Sequence, residues 1–511
     1  MNGMCATSHP LAAGVAVDIL RAGGNAVDAA IAGAVLLGFC EPQMTGLGGD
    51  CFVLLKPPGR EDVIALNGSG RAPAALDAAA LRARGLTGVP IRGIEAVTVP
   101  GAVDAFCRLS GDWGKLGLAA SLAPAIRYAE EGIPVAARVA RDWAEDVDSL
   151  KGAARQSLLL NGRAPREGEV FRAPHQAQAL RRIAERGRAG FYEGEVAEDM
   201  VASLQALGGL HTLDDFASTA CSYGDPVAGT YRGRELLEHP PNGQGATAIL
   251  MLNILSRFDI ASMDPLGADR AHLEAEAAKL AYDARNRFVA DPAHMTRLDH
   301  MLSPATAARL AALIDPGRAM PAAAPLTEAV HRDTIYITVV DRDRMAVSLI
   351  YSVYWSFGSG FASDRFGINF QNRGAGFTLQ AGHPNEAAGG KRPMHTIIPA
   401  MVRQGGRVTM PYGVMGGAYQ PCGHARVLSN MADFGMTPQQ AIDAPRCFSD
   451  ADGFKIERGY APGVAADLAA RGHPVVEADT PLGGAQAILM HDSGVLEGGS
   501  DPRKDGCALG Y

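Results

Sequence analysis

The sequence predicts a layered protein of mixed class, α/β or α+β. Three observations carry this. Up to about residue 330 the chain reads mainly as helical segments punctuated by Gly and Pro; beyond it, β-branched and aromatic runs take over; and short helical stretches lie between those runs. In chain order, Pro10 to Arg21 places Leu11, Val15, Val17, Ile19 and Leu20 in one helical stretch, stopped by Gly23-Gly24-Asn25, and Ala26 to Leu37 begins a second helix. Cys51 to Lys56 and Val63 to Leu66 read as short strands beside the cluster Gly46-Leu47-Gly48-Gly49. Helices are predicted for Leu118 to Glu131, Gln176 to Arg186, Glu195 to Leu207 and Arg270 to Phe288, the last with an apolar stripe through Leu273, Ala277, Leu280 and Ala281.

After the switch, Thr334 to Val340 reads as a strand, Asp341-Arg342-Asp343-Arg344 as a turn, and Met345 to Trp355 as the returning strand. Further strands are predicted at Ile397 to Val402, Arg407 to Met410, Val475 to Ala478 and Ala485 to Met490, with helices at Cys422 to Phe434, Pro438 to Asp443 and Val464 to Ala470. Pro316 to Leu326 is an Ala/Pro-rich connector just upstream of Thr334, the kind of loop that a cleavage site needs and that surface connectors also use.

Composition narrows the function. The chain has 511 residues, 47% hydrophobic and 20% charged, with a net charge of -8 and no long run of like charge. Mean hydropathy is +0.01, ordinary for a globular protein with ample core. Nothing in this balance attracts nucleic acid or an anionic membrane, so the expected partner is a small molecule. The eight cysteines are scattered without a C-x-x-C pair, and Cys40, Cys51 and Cys107 sit in apolar company as small hydrophobes. The start lacks a basic segment followed by an apolar one, which gives a cytoplasmic expectation, or an exported one if a leader has been removed.

Several motifs fail. Gly46-Leu47-Gly48-Gly49-Asp50 fits neither phosphate-loop spacing and reads as a tight turn; H-E-x-x-H and G-x-S-x-G do not occur; and the thirteen histidines suggest no metal site. No cofactor is expected. Other motifs stay open. Gly413-Val414-Met415-Gly416-Gly417, between a strand and a helix, is either a plain turn or a source of free backbone N–H groups for an oxyanion. Arg71 and Arg373, each in a glycine-rich loop, are either solvated or poised to grip a carboxylate. Thr334 is an ordinary strand-initiating residue unless the peptide bond before it is cut. Its new α-amino group then becomes the base for its own hydroxyl.

Ordered motifs along nearly the whole chain resemble the γ-glutamyltranspeptidase family of N-terminal-nucleophile hydrolases. They are Gly3-Met4 with Ser8-His9-Pro10-Leu11-Ala12, Gly23-Gly24-Asn25-Ala26-Val27-Asp28, Glu41-Pro42 with Thr45-Gly46-Leu47-Gly48-Gly49, Val99-Pro100-Gly101, Ala290-Asp291-Pro292, and Asp501-Pro502-Arg503-Lys504-Asp505-Gly506. The resemblance implies a four-layer αββα sandwich and a precursor that cuts itself before a threonine. Val339-Val340-Asp341 and Phe357-Gly358-Ser359-Gly360 match the family's landmarks around that residue, which places the cut between Asp333 and Thr334. It implies a large subunit, 1–333, a small one, 334–511, and room for a dimer of such heterodimers. It makes Thr334 the nucleophile, Ser352 the hydroxyl that positions it, and Gly416 and Gly417 the oxyanion-hole glycines.

The substrate-reading residues depart from the family pattern. Ser69 stands where γ-glutamyl enzymes carry the arginine that holds the substrate's α-carboxylate, with Arg71 two residues later. The segment that holds the substrate's amino group through an acidic residue reads Arg373-Gly374-Ala375-Gly376 here. Tyr354 replaces an asparagine, and His395-Thr396 replace paired serines after Lys391-Arg392-Pro393-Met394. Without that acid a glutamyl ammonium is left unpaired, at a cost of several kcal/mol. Arg71, Arg373 and His395 instead suit an anionic substrate without an amino group, which resembles the oxamate amidohydrolase-like branch. The expected function is thus hydrolysis of a small carboxylate-bearing amide through an acyl-enzyme on Thr334. A genuine γ-glutamyltransferase or glutathione hydrolase is the alternative. An unprocessed, non-catalytic relative is the second, favoured by Asp333 before the threonine and Ile335-Tyr336 where the family usually shows Thr-His.

Overall fold

The computed structural model describes residues 2–321 and 334–511. In chain order its principal strands are β1 (Met4–Thr7), β2 (Asp50–Lys56), β3 (Ile64–Gly68), β4 (Ser222–Gly224), β5 (Val227–Tyr231), β6 (Arg234–Glu238), β7 (Ile335–Val340), β8 (Ala346–Ser352), β9 (Ala400–Gln404), β10 (Arg407–Met415), β11 (Gly484–Met490), β12 (Leu496–Ser500) and β13 (Cys507–Gly510). They form a seven-stranded sheet, β13-β1-β7-β8-β2-β3-β4, and a six-stranded sheet, β12-β11-β10-β9-β6-β5. The sheets stack with β7 over β10 and β11.

Helices α1 (Pro10–Arg21) and α2 (Ala26–Cys40) cover the outer side of the first sheet; α3 (Gly245–Leu255) and α5 (Gln420–Phe434) cover that of the second, with α4 (Ala268–Phe288) packed on α3. The result is the αββα sandwich. Helix α2 starts at Asn25, whose side chain accepts from the N–H groups of Val27 and Asp28 while Asp28 reaches back to the Asn25 N–H, a reciprocal cap. Every residue of α2 is buried, because a helix that is apolar all round must lie between layers. Helix α3 (Gly-Ala-Thr-Ala-Ile-Leu-Met-Leu-Asn-Ile-Leu) has the same character, and its missing stripe is why periodicity alone does not reveal it.

Strand alternation sorts the side chains of β7. Ile335, Ile337 and Val339 enter the helix-side core, whereas Tyr336 and Val340 enter apolar clusters that join the two sheets. Residues of even number on β7 therefore face the inter-sheet layer, and the same parity continues back to Thr334. The returning strand stops at Ser352, short of the predicted Trp355. Tyr354 (φ +82°) and Phe357 (φ +56°) turn the chain there, in a left-handed conformation that side-chain-bearing residues seldom adopt. Arg92 clamps that turn, donating to the Ser356 and Gly358 carbonyls at 2.5 and 2.6 Å.

The helix-rich reading of the first half missed the β5–β6 hairpin, where Gly229, Arg234, Glu235 and Glu238 break the apolar alternation. It also missed the terminal strands β1 and β13, which pair with each other. Of the Pro316–Leu326 connector, Ala319 and Met320 are anchored, donating to the Arg471 carbonyl and to Glu276, each at 2.8 Å. The part beyond residue 321 lies outside the described residues, as does Asp333.

Candidate active site

Thr334, Ser352 and Asp50 form a row of polar side chains across three adjacent strands. The antiparallel register pairs Tyr351 with Ile335 and Ser352 with Asp50, so one further step along β7 sets Thr334 opposite Ser352. Thr334 Oγ1 donates to Ser352 Oγ at 3.4 Å, and Ser352 Oγ accepts from the Tyr354 N–H at 2.9 Å. In the continuous chain Thr334, Ser352 and Asp50 are buried. A hydroxyl so placed can orient the threonine rotamer, which fits the role expected of Ser352.

The second sheet sets the strand that leads into the glycine turn against β7. Gly413 faces Tyr336, two residues past Thr334, so closely that a β-carbon there would lie 2.4 Å from the tyrosine ring. Strand β10 ends at Met415; Gly416 (φ +119°) and Gly417 (φ +54°) follow in conformations that suit glycine and lead into α5. The positive end of a 15-residue helix and the backbone N–H groups that lead into it favour negative charge. Gln244 ties this turn to the segment of Thr396, donating to the carbonyls of Thr396 and Gly417 at 2.6 and 3.1 Å.

Arg373 is fully buried. Its Nη1 donates to Thr396 Oγ1 at 2.9 Å, and its guanidinium lies 3.9 Å from the centre of the Tyr354 ring. Contacts therefore run without a break from Thr334 through Ser352 and Tyr354 to Arg373 and Thr396. They join six of the residues named from the sequence, Gly417 included through Gln244.

The gamma-glutamyltranspeptidase family model matches residues 12–511. The chain belongs to the gamma-glutamyltranspeptidase family. Members of this family are N-terminal-nucleophile hydrolases, and the chain is an enzyme of that class. It is 37% identical to the glutathione hydrolase-like YwrD proenzyme of Bacillus subtilis, over 99% of this chain and 98% of that protein. It is also 37% identical to the oxamate amidohydrolase proenzyme of Klebsiella pneumoniae, over 100% and 98%. Among solved structures, cephalosporin acylase from Bacillus halodurans superposes with a TM-score of 0.93 at 39% identity, covering 100% of this chain and 96% of that one.

Two of the expected substrate-binding residues behave differently from a pair of free cations. The Arg71 side chain is 43% exposed and already opposed by Asp291 at 3.4 Å, and it also donates to the Gly390 carbonyl at 2.9 Å. None of its hydrogen bonds or ion pairs among the described residues goes to Thr334, Ser352 or Arg373. His395 is fully buried, with Nε2 3.1 Å from Asp50 Oδ2 and Nδ1 accepting from the Ile397 N–H at 3.4 Å. Burial first, and the Arg373 charge second, push its pKa down to about 3. The imidazole is therefore neutral at physiological pH, and its two ring nitrogens are engaged by Asp50 and by the Ile397 N–H. A histidine's charge depends on its surroundings, which local sequence does not display.

The same shift sets a pH dependence. Unfolded imidazole titrates near 6.5, so between pH 6.5 and about 3 the unfolded chain holds the proton that folded His395 refuses. Its contribution to stability is complete above pH 6.5 and is lost as pH falls toward about 3. His239, stacked on Phe52 at 4.0 Å and lowered by burial to about 4, acts in the same sense. Lowering the pH from 7 to 5 should cost on the order of 2 kcal/mol per ring. Urea denaturation at the two pH values measures it, and His395→Gln should flatten the dependence by about one ring's share.

Among the described residues one group offers metal-ligand geometry: His272 and Glu276, one turn apart on α4, and His473, with ligand atoms within 4.8 Å of one another. His272 and Glu276 stand four residues apart in the sequence, and His473 joins them only through the fold. These atoms are already engaged. His272 Nδ1 and His473 Nε2 share a 2.8 Å hydrogen bond, and Glu276 accepts from the Lys279 ammonium at 2.7 Å, which opposes a cation there. Among the described residues, no helix is long and apolar enough to cross a membrane.

Sequence reasoning also missed Asp50. It read the surrounding motif as a tight turn, and so it is in part: a β-carbon on Gly49 would lie 2.5 Å from the Ser352 carbonyl oxygen. The carboxylate beside it meets partners from positions 70, 101, 371 and 395, which no local pattern could reveal.

Proposed function

We propose that the chain cuts itself before Thr334 and then hydrolyses a small carboxylate-bearing amide, oxamate-like, through an acyl-enzyme. Cleavage leaves 1–333 as a large subunit and 334–511 as a small one, interleaved in one sandwich. The freed α-amino group, with an ordinary pKa of about 7.7–8, takes the hydroxyl proton as Thr334 Oγ attacks the amide carbonyl. The N–H groups of Gly416 and Gly417 receive the developing oxyanion. As the tetrahedral intermediate collapses, the C–N bond breaks, the amine returns its proton to the leaving nitrogen, and ammonia departs. Water then attacks the ester carbonyl, the bond from that carbon to Thr334 Oγ breaks, the acyl group leaves as a carboxylic acid, and a proton from the water restores the Thr334 hydroxyl.

The observation that carries this reading is buried Arg373, on Thr396 and against Tyr354, two contacts from the nucleophile's own partner Ser352. A guanidinium fork held this way suits a carboxylate close to the scissile bond, and a short substrate such as oxamate places one there. The similarity to an oxamate amidohydrolase proenzyme supports the same choice. The competing reading, γ-glutamyl transfer or glutathione hydrolysis, draws on the glutathione hydrolase-like relative. It needs an anion for the substrate ammonium where residues 373–376 read Arg-Gly-Ala-Gly. The test is ammonia release from oxamate beside anilide release from a γ-glutamyl anilide. Turnover of oxamate is expected; activity on the anilide alone overturns the proposal.

A further inference from the structure

We propose that Asp50 is a positioning residue for substrate binding, acting through the tautomer of His395. The inference rests on the reading that Arg373 and Thr396 receive the substrate carboxylate.

Asp50 is fully buried and gathers four chain segments. Its Oδ1 accepts from the N–H groups of Gly70 and Gly101 at 2.9 and 3.1 Å and from Gln371 Nε2 at 2.8 Å, and its Oδ2 accepts from His395 Nε2 at 3.1 Å. All four partners donate, so the site calls for an ionised carboxylate, the one side-chain form that only accepts. Two of the four segments are those of the substrate arm. Gln371 lies two residues before Arg373, and His395 lies immediately before Thr396. Asp50 also stands opposite Ser352 in the β2–β8 register. One carboxylate thus fixes the spacing between the nucleophile's row and the arm that reads the substrate.

The connection through His395 is specific. With Nε2–H donated to Asp50, Nδ1 is left as the acceptor for the Ile397 N–H at 3.4 Å, while the His395 N–H donates to the Asn242 carbonyl at 2.8 Å. These contacts bracket Thr396 on both sides and so set where its hydroxyl meets Arg373. The opposite tautomer would turn Nδ1–H against the Ile397 N–H. An asparagine at position 50 keeps the shape but offers an amide N–H toward His395 or toward the three donors, and either choice sets donor against donor.

The test uses Asp50→Asn together with His395→Gln and His395→Asn, each assayed on the cleaved full-length enzyme with oxamate. Glutamine's amide nitrogen can reproduce the Nε2–H donated to Asp50; that of asparagine falls near Nδ1 and cannot. Asp50→Asn should still process itself, with kcat within about threefold of wild type and KM raised about tenfold or more. His395→Gln should keep KM within about threefold, and His395→Asn should raise it as far as Asp50→Asn does. In the Asp50→Asn background the two His395 variants should no longer differ. An unchanged KM in Asp50→Asn, or equal KM values for the two His395 variants in the wild-type background, overturns the inference. The His395 pair decides it even if Asp50→Asn does not fold. A wild-type enzyme that is cleaved yet turns over no carboxylate-bearing amide contradicts the reading of Arg373 instead, so the two failures are told apart.

Discussion

Thr334→Ala should leave one uncut chain of 53.4 kDa on a denaturing gel and reduce turnover by about 10⁴-fold or more. Both losses have one cause. The hydroxyl that would break the preceding peptide bond is the hydroxyl that would carry the acyl group, and without cleavage no α-amino base exists. The variant should fold normally, because the Thr334 hydroxyl contributes a long, 3.4 Å hydrogen bond and alanine fits the space left. Its melting temperature separates loss of chemistry from loss of structure. Thr334→Ser, which keeps a hydroxyl and can still generate the amine, should process itself and turn over substrate. Two subunits from the alanine variant would refute the assignment of the nucleophile.

Arg373→Met should leave self-cleavage intact and reduce kcat/KM for a carboxylate-bearing amide by about 10²–10³-fold, the range for removing one partner of a buried, hydrogen-bonded charge pair. Arg373→Lys should not restore it, because an ammonium lacks the planar fork that spans Thr396 and a ligand carboxylate together. Specificity gives the sharper readout. Wild type should prefer the anionic amide over an uncharged analogue of equal size, and in Arg373→Met that preference should fall toward unity. If the preference survives, another group reads the carboxylate. Arg71, half-exposed and opposed by Asp291, is then the next to test.

What was legible in the sequence follows from the range of the interactions involved. Strand β7 and its return were readable because β-branched and aromatic residues alternate through them, and the turn between them carries four consecutive charges. Thr334 followed from the start of that strand and from the ordered family motifs on either side. The β5–β6 hairpin was not readable. Its buried Glu238 breaks the expected alternation and is accommodated only because His424, on α5, lies 2.7 Å away. Asp50 was hidden for a related reason, since its donors are separated from it by tens to hundreds of residues. Arg373 and Thr396 were legible as departures from the family pattern. The neutral state of His395 was not, because burial between the sheets decides it.

The claim that Thr334 becomes the first residue of a second subunit is tested most directly by intact-mass measurement and N-terminal sequencing of the purified wild-type protein after prolonged incubation. Two fragments that remain together under native conditions are predicted, the smaller beginning Thr-Ile-Tyr-Ile. A chain that stays whole, or a fragment that begins at any other residue, would contradict the account.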